Sequence, residues 1–149
     1  MKARAAAGQQ TLIRANIAPY FIHCADFIEN GSIPESQLIS AGFKKKPRTS
    51  SRAIFSKKLG AGRPNQIRIA FVPHEGTCAL TALAAERTAE PILDFALSRM
   101  TSRGWKVDGE RRHGQPKLHS IEQTMSKGGQ TITVRGGYYD FTQTVVVKK

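Results

Sequence analysis

Between residues 44 and 68 the chain has no Asp and no Glu. The same stretch carries nine cations: Lys44, Lys45, Lys46, Arg48, Arg52, Lys57, Lys58, Arg63 and Arg68. Across all 149 residues there are 23 Lys/Arg and 11 Asp/Glu, a formal +12, so this segment supplies +9 and the rest only +3 (12 − 9). Charge this localised points to a surface that meets an anion rather than to general basicity. Long apolar runs are also missing, and no stretch approaches the roughly 18 residues a membrane helix needs. Catalytic signatures are absent too: there is no Gly-x-Ser-x-Gly, no His-Glu-x-x-His and no phosphate-cradling glycine loop. Gly60 and Gly62 lack the third glycine that would open a helix, which makes them turn residues. The sequence therefore names no catalytic residue and no cofactor. An enzyme whose site is assembled from residues distant in sequence is one alternative reading.

Cysteine is scarce, with only Cys24 and Cys78. Two buried, free thiols are the preferred reading, as in a reducing compartment. The alternative is a disulfide closing a loop of 53 intervening residues in an exported chain. His23 and His74 stand near the two cysteines, but neighbours on a helix point about 100° apart, which disfavours a zinc site. No metal ligand is assigned. His23, Cys24 and Asp26 likewise fan around a helix and cannot form a nucleophile–base pair.

What is present fits one domain. The hydrophobic fraction of 40% and charged fraction of 23% are those of a globular chain, so the basic stretch does not imply disorder. Residues 1–15 read as a flexible leader or the remnant of an export signal, with Ala3, Ala5 and Ala7 but no apolar segment before them. The cytoplasm is preferred; a periplasmic or secreted location follows if the true start lies upstream. Residues 16–149 form the domain.

The spacing of Ile17, Tyr20, Phe21, Cys24, Phe27 and Ile28 predicts a helix over 17–29, capped by Asn16 and ended at Gly31. Ser32-Ile33-Pro34-Glu35 reads as a capping box for a short second helix that Gly42 stops. The period then changes to 2, giving strands at 53–59, 66–72 and 77–83. In the second of these, Ile67, Ile69 and Phe71 face one way and Arg68 and Ala70 the other. A third helix is expected at 89–103, with Thr88 as its cap and Trp105 after Gly104. Residues 108–116 read as a polar loop, and strands follow at 117–125, 130–135 and 138–147. Gly136-Gly137 serves as a turn, and Tyr139, Phe141, Val145 and Val147 share one face. The expected fold is α+β: two N-terminal helices, then an antiparallel sheet of three strands, a helix and three strands.

Phe21-Ile22-His23-Cys24, Ser40-Ala41-Gly42-Phe43, Cys78 and Gly104-Trp105 together resemble a loose group of small bacterial α+β proteins with no established activity. The resemblance implies an architecture and no mechanism.

The helix, Asn30-Gly31-Ser32, helix unit has the turn of a helix-turn-helix. It departs from that motif at Phe27, Gln37 and Ser40, where packing would want a small residue and two apolar ones. Gly62-Arg63-Pro64 matches half of a minor-groove hook, but Ala61 stands where an arginine is needed. The basic arm and hairpin at 44–68 remain. Lys44, Lys45, Lys46, Arg48, Arg52, Lys57 and Lys58 would neutralise phosphates, and Arg63 would reach from the glycine-rich turn. The function expected is non-enzymatic binding of a polyanion, foremost nucleic acid given a pI near 10.2. The alternative is an exported basic domain with a Cys24–Cys78 bridge that binds a protein or an anionic envelope surface. Lys148 and Lys149 read as a tail without comparable charge density.

Overall fold

The computed structural model describes residues 11–47, 52–59, 66–84, 89–114, 119–139 and 141–149. Residues 1–10 of the leader, the 60–65 turn and Thr88 lie outside that set. The chain is α+β. Helices α1 (Phe21–Asn30), α2 (Glu35–Ser40) and α3 (Glu90–Ser102) accompany eight strands. These are β1 (Lys44–Lys45), β2 (Ala53–Lys58), β3 (Gln66–Val72), β4 (Thr77–Leu83), β5 (Lys106–His113), β6 (Ser120–Lys127), β7 (Gln130–Tyr139) and β8 (Thr142–Lys148). All eight join one antiparallel sheet in the order β1-β2-β3-β4-β8-β7-β6-β5. Each half is a four-stranded meander preceded by helix, and the last strands of the two halves, β4 and β8, pair at the centre.

The layout is thus four strands, a helix and four strands rather than three, a helix and three. Two strands escaped the sequence reading. Strand β1 is only two residues long and wholly charged. Strand β5, expected as a loop, is exposed at all eight positions, so no apolar alternation marks it. Its free edge carries Asp108, Glu110, Arg111 and Arg112 and a register shift between Asp108 and Arg112, features that discourage edge-to-edge pairing.

The N-terminal helix also differs from expectation. A π-helical turn, Ile13–Ile17, comes first, with Asn16 buried inside it rather than capping. Pro19 has no N–H to continue the ladder, and α1 begins only after it. Gly31 ends α1 at φ 78°, as expected of a left-handed cap. Ser32 makes no capping bond; Pro34 occupies the cap position of α2.

Alternation along the strands was correctly phased where the residues are apolar. Phe55, Ile67, Ile69, Phe71, Cys78, Leu80, Val145 and Val147 are all buried on the face that meets α1 and α3. Phe71 contacts Phe27 at 5.1 Å and Phe55 at 5.9 Å between ring centroids, both edge to face. Ile69→Ala is therefore expected to reduce stability by about 2–5 kcal/mol, with Arg68→Ala close to neutral. Urea denaturation checks this, and the reverse ranking would contradict the strand phase.

Gly136 and Gly137 lie inside β7, not in a turn. A Cβ on Gly136 would come within 2.8 Å of Ala89 O and Leu93 N, so glycine there lets α3 lie against the sheet. The turn falls instead near Phe141, at φ 64°, and Tyr139 and Phe141 point to solvent rather than joining Val145 and Val147.

Candidate polyanion-binding face

The hairpin expected within 44–68 is the antiparallel pair β2–β3, and Lys44–Lys45 pairs with it as β1 rather than extending as an arm. The described part of the segment is β1, β2 and the start of β3, three paired strands at one edge of the sheet. Arg48 and Arg63 lie outside the described residues. The pleat sorts the other seven cations onto two faces, because side chains alternate along a strand and directly paired residues share a side.

On the helix face are Lys45 and Lys57, and both are engaged. Lys45 pairs with Phe55 in register and its Nζ meets Glu35 Oε1 of α2 at 3.1 Å. Lys57 pairs with Ile67; its Nζ donates to Ala41 O at 2.7 Å and to Tyr20 Oη at 3.0 Å. It also lies 5.1 Å from the Tyr20 ring centroid. Ala41 follows the last turn of α2, where carbonyls lack partners, so Lys57 acts as a cap. Lys57 thus ties α2 to the sheet, and Lys45 meets α2 in an exposed pair, on the face opposite the other five cations.

On the open face are Lys44, Lys46, Arg52, Lys58 and Arg68. Lys44 pairs with Ser56, and Ser56 with Arg68. Lys46 N donates to Ile54 O at 2.9 Å, which places it on the same side as Ile54. Arg52 and Lys58 share the parity of Ile54 and Ser56, and all five cations are exposed. None forms an ion pair among the described residues, and the β1–β4 part of this face carries no acid there. The floor between them is Ile54, Ser56, Ala70, Ala79 and Thr81, small residues apart from Ile54. From Arg52 to Lys58 the strand spans about 20 Å, and from β1 to β3 the sheet is about 10 Å wide.

The face continues across the centre of the sheet. Arg135 and Lys148, paired with Val146 and Thr133 respectively, share this side. Lys148 is thus part of the surface, not a loose tail. Glu122 also lies here, bonded to Arg112 Nε at 2.9 Å. Arg135 was missed because a turn placed at Gly136-Gly137 broke the phase of β7, and Lys148 read as tail because the last strand was ended at 147.

Elsewhere, a cluster of ionised side chains ties α1 to the C-terminal end of α3. Arg103 binds Asp26 at 2.7 Å and also binds Glu29, which Lys127 reaches at 3.3 Å. Burial would raise the Glu29 carboxyl, but its hydrogen bonds from Arg103 and Lys127 prevail and hold it below the usual range. Burial lowers the pKa of His23, against the opposing pull of Asp26, and its ring stands edge to face with Phe43. Cys24 and Cys78 are joined by a disulfide between α1 and β4, both fully buried, and this overturns the preference for free thiols. His23, Cys24 and Asp26 are thus each committed elsewhere. Among the described residues no three His, Cys, Asp or Glu side chains are grouped to hold a metal ion. Nor is any helix among them long and apolar enough to cross a membrane. No protein-family model, curated protein or solved structure matches the chain.

Proposed function

We propose that the protein works by binding rather than catalysis, and that its partner is the phosphate backbone of a nucleic acid lying on the open face of the sheet. The supporting observation is the sorting of charge. Five cations with no ion pair among the described residues share the β1–β4 part of one face, where no described acid lies, while the two on the opposite face contact α2 and its end. Uncompensated like charge is unfavourable unless a partner neutralises it. A patch about 20 Å long suits a linear polymer with a charge every few ångströms better than a compact anion.

If each of the five cations neutralises one duplex phosphate, log K against log[salt] should fall with a slope of about −4.5, or about −3.5 for a single strand. Fluorescence anisotropy with duplex and single-stranded oligonucleotides across a salt series measures it. Absence of binding to either at low salt would end this reading. Affinity should depend little on base sequence, because backbone contacts position and do not specify.

The disulfide favours a second reading. Buried bridged cysteines suit an oxidising compartment, where a basic face would meet an anionic envelope surface. Tight binding to anionic-lipid vesicles together with weak binding to oligonucleotides would select it.

A further inference from the structure

Gly137 has no packing reason to be glycine. Its backbone is not in the left-handed region. A Cβ built on it would meet only His119 O at 3.7 Å and Ser120 Cβ at 3.8 Å, both ordinary contacts. Its neighbour Gly136 is the opposite case, since a Cβ there would collide with α3. Glycine inside a strand weakens it, and where the fold does not require one it fits the close approach of another group.

A hollow of about 290 Å3 lies over this glycine, lined in part by Arg135, Tyr139, Thr144, Ser120 and His119. That is near the lower bound of about 300 Å3 for small-molecule sites. Tyr139 is 79% exposed, an aromatic ring the core does not use. It stands two residues from Gly137 and four from Arg135 along β7, all three on the open face. A cation, a bare floor and a free ring therefore adjoin one another.

The hollow and the cationic patch lie on one cross-strand row. Lys44 pairs with Ser56, Ser56 with Arg68, Arg68 with Thr81, Thr81 with Thr144, and Thr144 with Gly137. From Arg68 to Gly137 is three inter-strand steps, about 14 Å. The intervening side chains are two threonines whose hydroxyls lie 3.3 Å apart, short enough for a chain to pass over.

We infer that the hollow over Gly137 is a base-stacking site, and that the ligand of the open face is single-stranded nucleic acid. Its phosphates would run over Arg68 and its cationic neighbours and reach Arg135, with one unpaired base lying on Tyr139 above Gly137. This rests on the polyanion reading and narrows it, because a duplex keeps its bases stacked away and a sulfated polysaccharide or a lipid headgroup has no flat ring to stack.

The test uses the full chain with three probes in anisotropy titrations at one salt concentration: an oligothymidylate, an abasic oligomer of equal length, and heparin. Tyr139→Ala and Gly137→Val should each weaken oligothymidylate binding about tenfold and leave the abasic oligomer and heparin unchanged. Tyr139→Phe should retain wild-type affinity, since stacking needs the ring and not the hydroxyl. Tyr139 is exposed, so its variants should fold, and melting curves check that Gly137→Val does. Equal loss on all probes, or no loss for Tyr139→Ala, overturns the stacking site. In that case Lys44→Glu with Lys46→Glu still reports on the cationic patch alone. Wild-type protein that binds none of the three probes overturns both readings.

Discussion

Replacing Cys24 and Cys78 together by alanine is expected to lower the unfolding free energy by about 4 kcal/mol. The bridge closes a loop of 53 intervening residues, and in the chain-entropy account a loop of that length restricts the unfolded ensemble by about that amount. Domains of this size are stable by only about 5–15 kcal/mol, so the loss is a large fraction of the whole. The bridge also ties α1 to β4, the strand through which the first meander joins the second. Both sulfurs are fully buried, so reductant should act slowly on native protein and rapidly once denaturant opens it. Urea titrations of wild type and double variant measure the difference in midpoint. Alkylation under denaturing conditions without reductant should label no cysteine. Two labelled cysteines would restore the free-thiol reading, and coincident urea curves would remove the stabilising role.

The fold was legible wherever burial is one-sided. Strands β3 and β4 and the body of α3 lay at their expected positions because Ile67, Ile69 and Phe71, or Ile92, Leu93, Ala96, Leu97 and Met100, repeat with the period of their element. The same logic fails on β5, which buries nothing, and on β1, which is too short to show a period. Gly136 misled for a different reason. Its glycine answers a helix that crosses β7 from a distant part of the chain, which local turn chemistry cannot reveal. The misplaced turn then hid Arg135 and Tyr139 from the site. Cys24 and Cys78 were both expected to be buried, but their pairing depends on α1 crossing β4, a tertiary fact.

The charged segment shows most clearly what sequence can and cannot give. Its composition exposed the nine cations at once, but their value as a binding surface depends on strand parity. Lys44, Lys45 and Lys46 are consecutive and look equivalent. In the sheet, Lys45 faces the helices and pairs with Glu35, and its neighbours face outward. Lys57 and Lys58 divide in the same way, one capping α2 and one exposed. The turn signal at 60–65 places β2 against β3 but not the side on which each residue falls; the buried Phe55 and Ile69, paired in register, fix that.

This division makes charge reversal a sharp measurement. Lys44→Glu combined with Lys46→Glu changes the open face by four unit charges (two per substitution). At roughly 1 kcal/mol per surface charge near an anionic partner, the loss is about 4 kcal/mol, on the order of a thousandfold in affinity at low salt. It should also flatten the salt dependence, since two fewer counterions are released per complex. Lys45→Glu, one residue away in the chain and of the same chemistry, should leave affinity nearly unchanged. Its effect falls instead on stability, by no more than about 1 kcal/mol, because an exposed pair with Glu35 is replaced by a like-charge contact. Arg68→Glu, two strands over on the same row, should resemble Lys44→Glu. Anisotropy at two salt concentrations, with urea melts as the folding control, separates these cases. Should Lys45→Glu weaken binding as much as Lys44→Glu, nearness in sequence rather than strand face would govern the interaction, and the open face would not be the binding surface.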